Sequence, residues 1–507
     1  MKAGMTPLAV AAVLGLAAPA ATRARGHEDP RASVSVSSRR GWGPGASENA
    51  VTAAPHDPNA PTESGTVELL QQLIRIDTSN PPGHEGALDA FLAPKLKALG
   101  FEVTIVPTPE PGKSALFARL KGDGSRRPVL LASHGDVVGV EREKWTVDPF
   151  GGIVKDGYVF GRGAIDFKGG IAVFARAVMQ LAERKVPLAR DVVFLVEADE
   201  EGAKYNTSWL AGSHWPEMDC EFALNEGGWI IKDAAGKVQY VSISTADKSS
   251  VSVILTARGT STHSSMPRPD SAIFALSTAM AKLAGYDTKV QMIPSTRRFF
   301  ETLAKTSAGP MAESYRTIAA AGEPGSDPKA VAAADREVGR DPLLHAFIHN
   351  TIAPVLMNAG FRGNVIPGSA GATINVRLIP GTDPNDIVRE FERVIGDPRV
   401  EVKLSRPSSG PSQVPPSSEE TALYRALAGQ ARAEFPGAEV TPYLFQAGTD
   451  AGAWRTRGVP VYGIYPYPID NDDLSRMHGN DERVSVKSLE QGTEMIYKTL
   501  VEVAGKK

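Results

Sequence analysis

Regular hydrophobic patterning starts near Ser64. Val67, Leu70, Leu73 and Ile74 recur on one helical face, and the run Asp77-Thr78-Ser79-Asn80-Pro81-Pro82-Gly83 ends that helix. A second helix is predicted from about Glu85 to Leu99, with Leu88, Phe91, Leu92 and Leu99 near one face and Gly100 as its stop. Then the period changes. Short apolar runs at Val129–Ala132, Val192–Val196, Phe222–Leu224 and Val459–Ile464 have the length and composition of buried strands. Between the first two, Ile171, Phe174, Val178 and Leu181 mark another helix that ends before Pro187. Strands alternating with helices predict an α/β sheet covered on both faces. From about Val241 to Leu378 the pattern turns to β-like alternation (Val251, Val253, Leu255; later Ala372 to Leu378) mixed with helices, which reads as an inserted unit. Residues 294–342, with loosely defined helical patterns, read as an enlargement of that insertion.

Before Ser64 the chain has no such period. Lys2 precedes an apolar run from Pro7 to Ala21 that ends in Ala18-Pro19-Ala20, the layout of a secretory signal peptide over residues 1–21. Residues 22–63 are rich in Ala, Ser, Gly, Arg and Pro and read as a flexible linker. Export to a periplasm or the exterior is therefore expected. Over the whole 507 residues, 55 Lys and Arg nearly balance 58 Asp and Glu, so charge offers no case for binding nucleic acid or an anionic membrane. The single cysteine, Cys220, excludes an intrachain disulfide framework and a cysteine-rich zinc cluster. Any metal must be held by His and carboxylate.

The chemistry lies at the strand ends. The first strand is followed by Ser133-His134-Gly135-Asp136, the second by Glu197-Ala198-Asp199-Glu200-Glu201-Gly202, and the third by Asn225-Glu226-Gly227-Gly228. Met477-His478-Gly479 follows the last strand, and Asp166 sits just before the Ile171 helix. Ligands of open α/β sheets bind outside the carboxyl ends of the strands. Alone, each fragment is an ordinary turn or hydrogen-bonded pair. Together they deliver the nitrogen and oxygen donors zinc accepts, and five ligands with one shared carboxylate suffice for two ions. The glycine-rich stretch Gly161–Gly170 lacks the order of a phosphate-binding loop.

These motifs resemble metallopeptidase family 20, the zinc-dependent aminoacylase and carboxypeptidase group. They are SHGDVV at 133–138, KWTVDPFGG at 144–152, GRGAIDFKGG at 161–170, EADEEGA at 197–203, NEGG at 225–228, GTSTHSSMP at 259–267, NVIPG at 364–368 and MHGNDERV at 477–484. Glu226 with its following glycines is most similar to the carboxypeptidase S and N-acyl-amino-acid hydrolase branch. The resemblance implies a catalytic domain with a mixed, mainly parallel sheet in two pieces, 64–240 and 379–507, around an α+β lid and dimerisation domain at 241–378. It implies His134 and Glu226 on one zinc, Glu201 and His478 on the other, and Asp166 bridging both, with cobalt or manganese as alternatives. Glu200 becomes the general base, and Asp136 the carboxylate that bonds the far nitrogen of His134. His263 becomes the oxyanion donor supplied by a partner copy, assisted by Asn364. Arg377 and Gly448 are placed at the substrate, a peptide or N-acyl amino acid. Many relatives have Asp after the bridging residue, where Phe167 stands, and the peptide between the two is typically cis. The implied reaction is amide hydrolysis next to a free carboxylate, with a dipeptidase or a non-catalytic binding protein as the alternatives.

Overall fold

The computed structural model describes residues 65–408, 410 and 414–506. The expected signal peptide and linker lie outside the described residues. Both early helices form, at Gly65–Ile74 and Glu85–Ala98, and pack their Val67, Leu70, Leu73, Leu88 and Leu92 faces into the main core.

That core surrounds a ten-stranded sheet. At its centre, Val192–Glu197, Val129–His134, Phe222–Asn225 and Val461–Gly463 run parallel to one another in that order. All four strands are buried along their whole length, as their unbroken apolar runs require. Antiparallel pairs flank this centre: Ser114–Leu120 on Val192–Glu197, and Val238–Asp247 on both Ile230–Lys232 and Val461–Gly463. The sheet is thus mixed, as expected. The parallel strands end together at one edge, and this is what brings distant motifs into one place.

A second, antiparallel sheet of four strands has its own core. Its order is Thr351–Ala359, Ser369–Leu378, Ser249–Arg258, Val400–Leu404. Along Ser369–Leu378 alternate residues Ala370, Ala372, Ile374, Val376 and Leu378 are buried, and helices Ala272–Ala284 and Pro384–Ile395 cover them. This unit differs from the expected 241–378 segment at both ends. Val238–Asp247 belongs to the main sheet, and Pro384–Leu404 to the small one. The alternation read from Val241 spans two consecutive strands that separate at Asp247–Ser249 and enter different sheets.

The helical stretch after Pro294 also sits elsewhere than expected. Helices Pro294–Thr306, Gly309–Ala319, Pro328–Val338 and Pro342–Ile348 pack on the main sheet. Phe299 meets Tyr443 at 5.3 Å and Tyr240 at 5.8 Å between ring centres, and Phe347 meets Tyr443 at 4.7 Å. An apolar face carrying Phe299 and Phe347 is stable only against another apolar surface, and the main sheet supplies it.

The connections between the two units are tied by buried polar side chains. Lys248 donates to the carbonyls of Ala346 (3.0 Å) and His349 (2.7 Å), at the end of the last inserted helix. Thr288 Oγ1 donates to Asn350 O, and Asn350 Oδ1 accepts from Ile379 N–H. His349 uses both ring nitrogens, Nδ1 toward Thr288 O (2.6 Å) and Nε2 toward Asp335 Oδ1 (2.9 Å). Among the described residues no helix is long and apolar enough to cross a membrane.

Candidate active site

The five expected ligands converge. His134 ends its strand and Glu226 directly follows the neighbouring one, so both leave the sheet at the same edge. His134 Nε2 lies 3.1 Å from Asp166 Oδ1 and 3.3 Å from Glu226 Oε2. On the other side, His478 Nε2 lies 2.9 Å from Asp166 Oδ2 and 3.1 Å from Glu201 Oε1. Asp166 therefore offers one carboxylate oxygen to each triad, the arrangement needed to bridge two cations.

The donor set fits metal. Buried Glu201 Oε1 lacks a well-aligned hydrogen-bond donor, and the His478 imidazole at 3.1 Å is the polar group that faces it. Uncompensated clustering of carboxylates is costly unless a cation or protons intervene. The titration behaviour reflects this. Burial, with the charges of Asp166 and Asp450, pushes Glu226 up to about 7, although His134 opposes the shift. Burial also opposes ionisation of Asp166, but hydrogen bonds from His134 and His478 keep it below the usual carboxylate range. Glu200, half-buried beside the ligands, is raised well above a normal Glu by burial and then by the charges of Glu226 and Asp450. Cations seated in the triads would favour the ionised form of all three, opposing the rise of Glu226 and Glu200 and reinforcing the depression of Asp166.

Asp136 plays a different part from the one expected. The acceptor for His134 Nδ1 is the backbone carbonyl of Asp136 at 3.0 Å, whereas its carboxylate oxygen stands at 3.5 Å. This bond fixes Nδ1–H and turns the Nε2 lone pair toward the triad. The carboxylate accepts instead from the backbone N–H groups of Glu200 (3.1 Å) and Glu201 (3.0 Å).

Three residues that sequence reasoning passed over complete the support. Tyr465 Oη donates to Asp166 Oδ1 (3.2 Å) and Glu226 Oε2 (3.1 Å), and its ring stacks on Trp229 at 4.2 Å. Glu482 accepts from the N–H groups of Gly163, Ile165 and Asp166 and pairs with Arg162 at 2.6 Å, fully buried. Arg162 in turn donates to the carbonyls of His478 and Gly479. Arg162 and Glu482 lie inside recognised motifs, while Tyr465 lies in the Tyr-Pro-rich run after the last strand. What the linear sequence lacked was their pairing across 320 positions.

The Asp166–Phe167 peptide is cis, as the resemblance implied. Phe167 is buried between His134, Phe174 and Tyr465. Its ring fills the space a Cβ on residue 170 would occupy, which explains Gly170.

The remaining expected residues fall in two places. Arg377 and Gly448 line one cavity of about 230 Å³ with Lys248 and Thr449, and the Arg377 guanidinium makes no ion pair among the described residues. Asn364 and His263 sit together on the small unit, where Thr262–His263 pairs with Val365–Ile366. His263 is exposed and its Nδ1 is bonded only to Ser265, so the structure does not join it to the ligand cluster within one chain.

Comparison with known proteins agrees with this geometry. The profile of peptidase family M20/M25/M40 matches residues 130–502. A probable carboxypeptidase S-like protein of Dictyostelium discoideum is 31% identical over 382 residues, 74% of this chain and 71% of that one. An N-fatty-acyl-amino acid synthase/hydrolase of Homo sapiens is 28% identical over 396 residues, 76% of each. Among solved structures, an M20 family metallo-carboxypeptidase of Sulfolobus solfataricus superposes with a TM-score of 0.61 at 16% identity, over 86% of this chain and 99% of that one. Human carnosine dipeptidase 1 gives 0.57 at 19%, over 86% and 95%. A dinuclear metal-binding M20 peptidase of Bacillus subtilis gives 0.53 at 12%, over 86% and 97%. With its His and carboxylate strand ends gathered around one shared aspartate, the chain belongs to peptidase family M20/M25/M40 and is a metallopeptidase of the amide-hydrolysing kind.

Proposed function

We propose that the chain hydrolyses N-acyl amino acids or peptides at the amide next to a free carboxylate. Zinc is the metal its imidazole and carboxylate donors suit, with cobalt or manganese as substitutes. His134, Asp166 and Glu226 would hold one ion, and Asp166, Glu201 and His478 the other. Such ions, when bound, polarise the scissile carbonyl and make water acidic enough to attack near neutral pH. Glu200, adjacent to a ligand yet outside both triads, accepts the proton of the attacking water and returns it to the leaving nitrogen. The observation that carries the reading is the division of the two Asp166 oxygens between two His-carboxylate triads, with Glu200 beside them.

Substrate recognition follows from the unpaired Arg377 beside Gly448, a planar cation suited to a carboxylate. This favours acyl amino acids and carboxypeptidase substrates over dipeptides selected through their amino group. The names of the curated relatives support the same class. His263 and Asn364 would reach the site of a second copy. Support for pairing comes from Thr351–Ala359, an edge strand on which Val355, Leu356 and Met357 are more than half exposed. Export is part of the proposal, checked by N-terminal sequencing of the mature chain.

Amine release from a panel of N-acyl amino acids, carboxypeptidase substrates and dipeptides tests the reading. Zinc-loaded protein is expected to cleave only next to a free carboxylate, and Glu200→Gln to lose that activity while still binding metal. Cleavage that persists in Glu200→Gln rejects the base assignment. Absence of cleavage with two metals bound favours a binding protein.

A further inference from the structure

The loop that carries Glu200 and Glu201 has no regular structure to hold it, and Asp199 before them adopts the left-handed region at φ 65°. Its position is fixed by side chains from elsewhere. The Asp136 carboxylate accepts from the backbone N–H groups of Glu200 and Glu201. Asp199 accepts from Lys113 Nζ (2.6 Å), Asn80 Nδ2 (2.7 Å) and the backbone N–H groups of Lys204 (3.1 Å) and Tyr205 (2.8 Å).

Asn80 joins the two carboxylates. Its Nδ2 also donates to Asp136 Oδ2 at 2.8 Å, so both amide hydrogens are used, one on each acid. Its Oδ1 faces Lys113 Nζ at 3.4 Å. Its own backbone N–H donates to Val137 O, which fastens it to the segment bearing His134 and Asp136. One carboxamide thereby spans the ends of two parallel strands, each of which delivers a ligand. Without that donor, Asp136 and Asp199 would face each other with no hydrogen between them. The same crowding accounts for Gly202, where a Cβ would run into the Asp199 carboxylate and stand 2.9 Å from Asn80 Nδ2.

Building on the proposed hydrolytic function, we propose that Asn80, seconded by Lys113, is a positioning residue for the catalytic loop: it sets Glu200 and Glu201 relative to His134 by bridging Asp136 and Asp199. It touches neither substrate nor ligand atoms. Asn80 is only half-buried and lies in the loop between the first two helices, so its replacement leaves the hydrophobic core intact.

The test uses the full chain. Asn80→Asp is isosteric and turns the bridging donor into a third carboxylate. It is expected to lower kcat about 100-fold with KM changed by less than about threefold, the pattern of a displaced catalytic group. Calorimetric titration with zinc chloride alone should show two binding events in wild type. In the variant, the event assigned to Glu201 and His478 should be weakened about 10-fold or more. Adding Asp199→Asn to Asn80→Asp restores a donor between positions 80 and 199 and should recover about a tenth or more of the lost kcat. Asn80→Ala, which adds no charge, should show the same kcat-selective loss and serves if the aspartate variant misfolds. Activity and zinc binding unchanged in both single variants overturn the proposal. So does a loss confined to the melting temperature, or one the second substitution fails to relieve. A wild type that neither hydrolyses the panel nor binds zinc rejects the proposed function and this role with it, whereas an active wild type with indifferent variants rejects this role alone.

Discussion

Replacing Glu482 with Gln looks conservative in sequence and should be severe in this structure. The carboxylate satisfies four donors: Oε2 takes Arg162 Nη1 and Gly163 N–H, and Oε1 takes Ile165 N–H and Asp166 N–H. A carboxamide has one oxygen. Whichever way it turns, its NH2 faces two donors, and the Arg162 charge loses its partner while remaining buried. Two unmet donors at about 1–3 kcal/mol each, or one broken buried ion pair at about 3–5 kcal/mol, describe the same loss from two sides and are not summed. A cost of about 3–5 kcal/mol against a typical total of about 5–15 kcal/mol leaves the chain folded but fragile. The damage is local. Amide exchange at Ile165 and Asp166 should accelerate about 10²- to 10⁴-fold if opening is local. Because Asp166 bears both triads and Arg162 braces the His478 loop, zinc affinity should fall at both sites. Exchange rates and zinc affinity equal to wild type would refute the argument that this ion pair shapes the metal-bearing loops.

Other outcomes follow from the same structure. Chelation should lower the melting temperature and zinc should restore it, a stabilisation of about 4 kcal/mol at a thousandfold excess over Kd. Zinc uptake by the metal-free protein near pH 7 should release protons, because hydrogen bonds to Asp166 and Glu201 hold His478 up at about 10, and a ligating imidazole must be free of its proton; calorimetry in buffers of different ionisation enthalpy counts them. At His349, burial alone would depress the pKa, but the hydrogen bond to Asp335 and the charges of Asp287 and Asp335 raise it. A raised histidine stabilises the fold below its unfolded pKa of about 6.5 and loses that contribution as pH rises through the folded value. His349→Gln should therefore flatten the fall in urea midpoint above pH 6.5, and an unchanged slope would exclude His349 as its source. The proposed pairing predicts that Leu356→Glu with Met357→Glu on the exposed edge strand yields a monomer in sedimentation and loses turnover; a variant that stays paired, or a wild type that is already a monomer, rejects that contact.

Much of this was legible in the sequence because it rests on short-range signals. The central strands are unbroken apolar runs, and the five ligand residues come directly after strands or before a helix. What could not be read were long-range choices among chemically equivalent partners. Asp136 has both a carbonyl and a carboxylate within reach of His134, and only backbone geometry selects the former. The helix Pro294–Thr306 advertises an apolar face, but not which of two sheets will receive it. Two alternating strands in succession, Val238–Asp247 and Ser249–Arg258, give no linear sign that the chain changes sheet between them. Arg162 and Glu482 neutralise one another inside the core, a pairing visible only once the chain has folded.

Because the inserted helices dock on the main sheet, the chain passes between the two units at four places: after Asp247, after Ala284, before Thr351 and after Leu404. A flap hung on a single thread can swing and twist in any direction, whereas one stitched at several points can turn only about the line the stitches share. Lys248, Thr288, Asn350 and His349 knot three of those passages to one another, so a change of torsion in one must be matched in the others. Any movement of the small unit, which carries Arg377, is therefore expected to follow a single arc, with the helical insertion docked on the main sheet as its fixed frame.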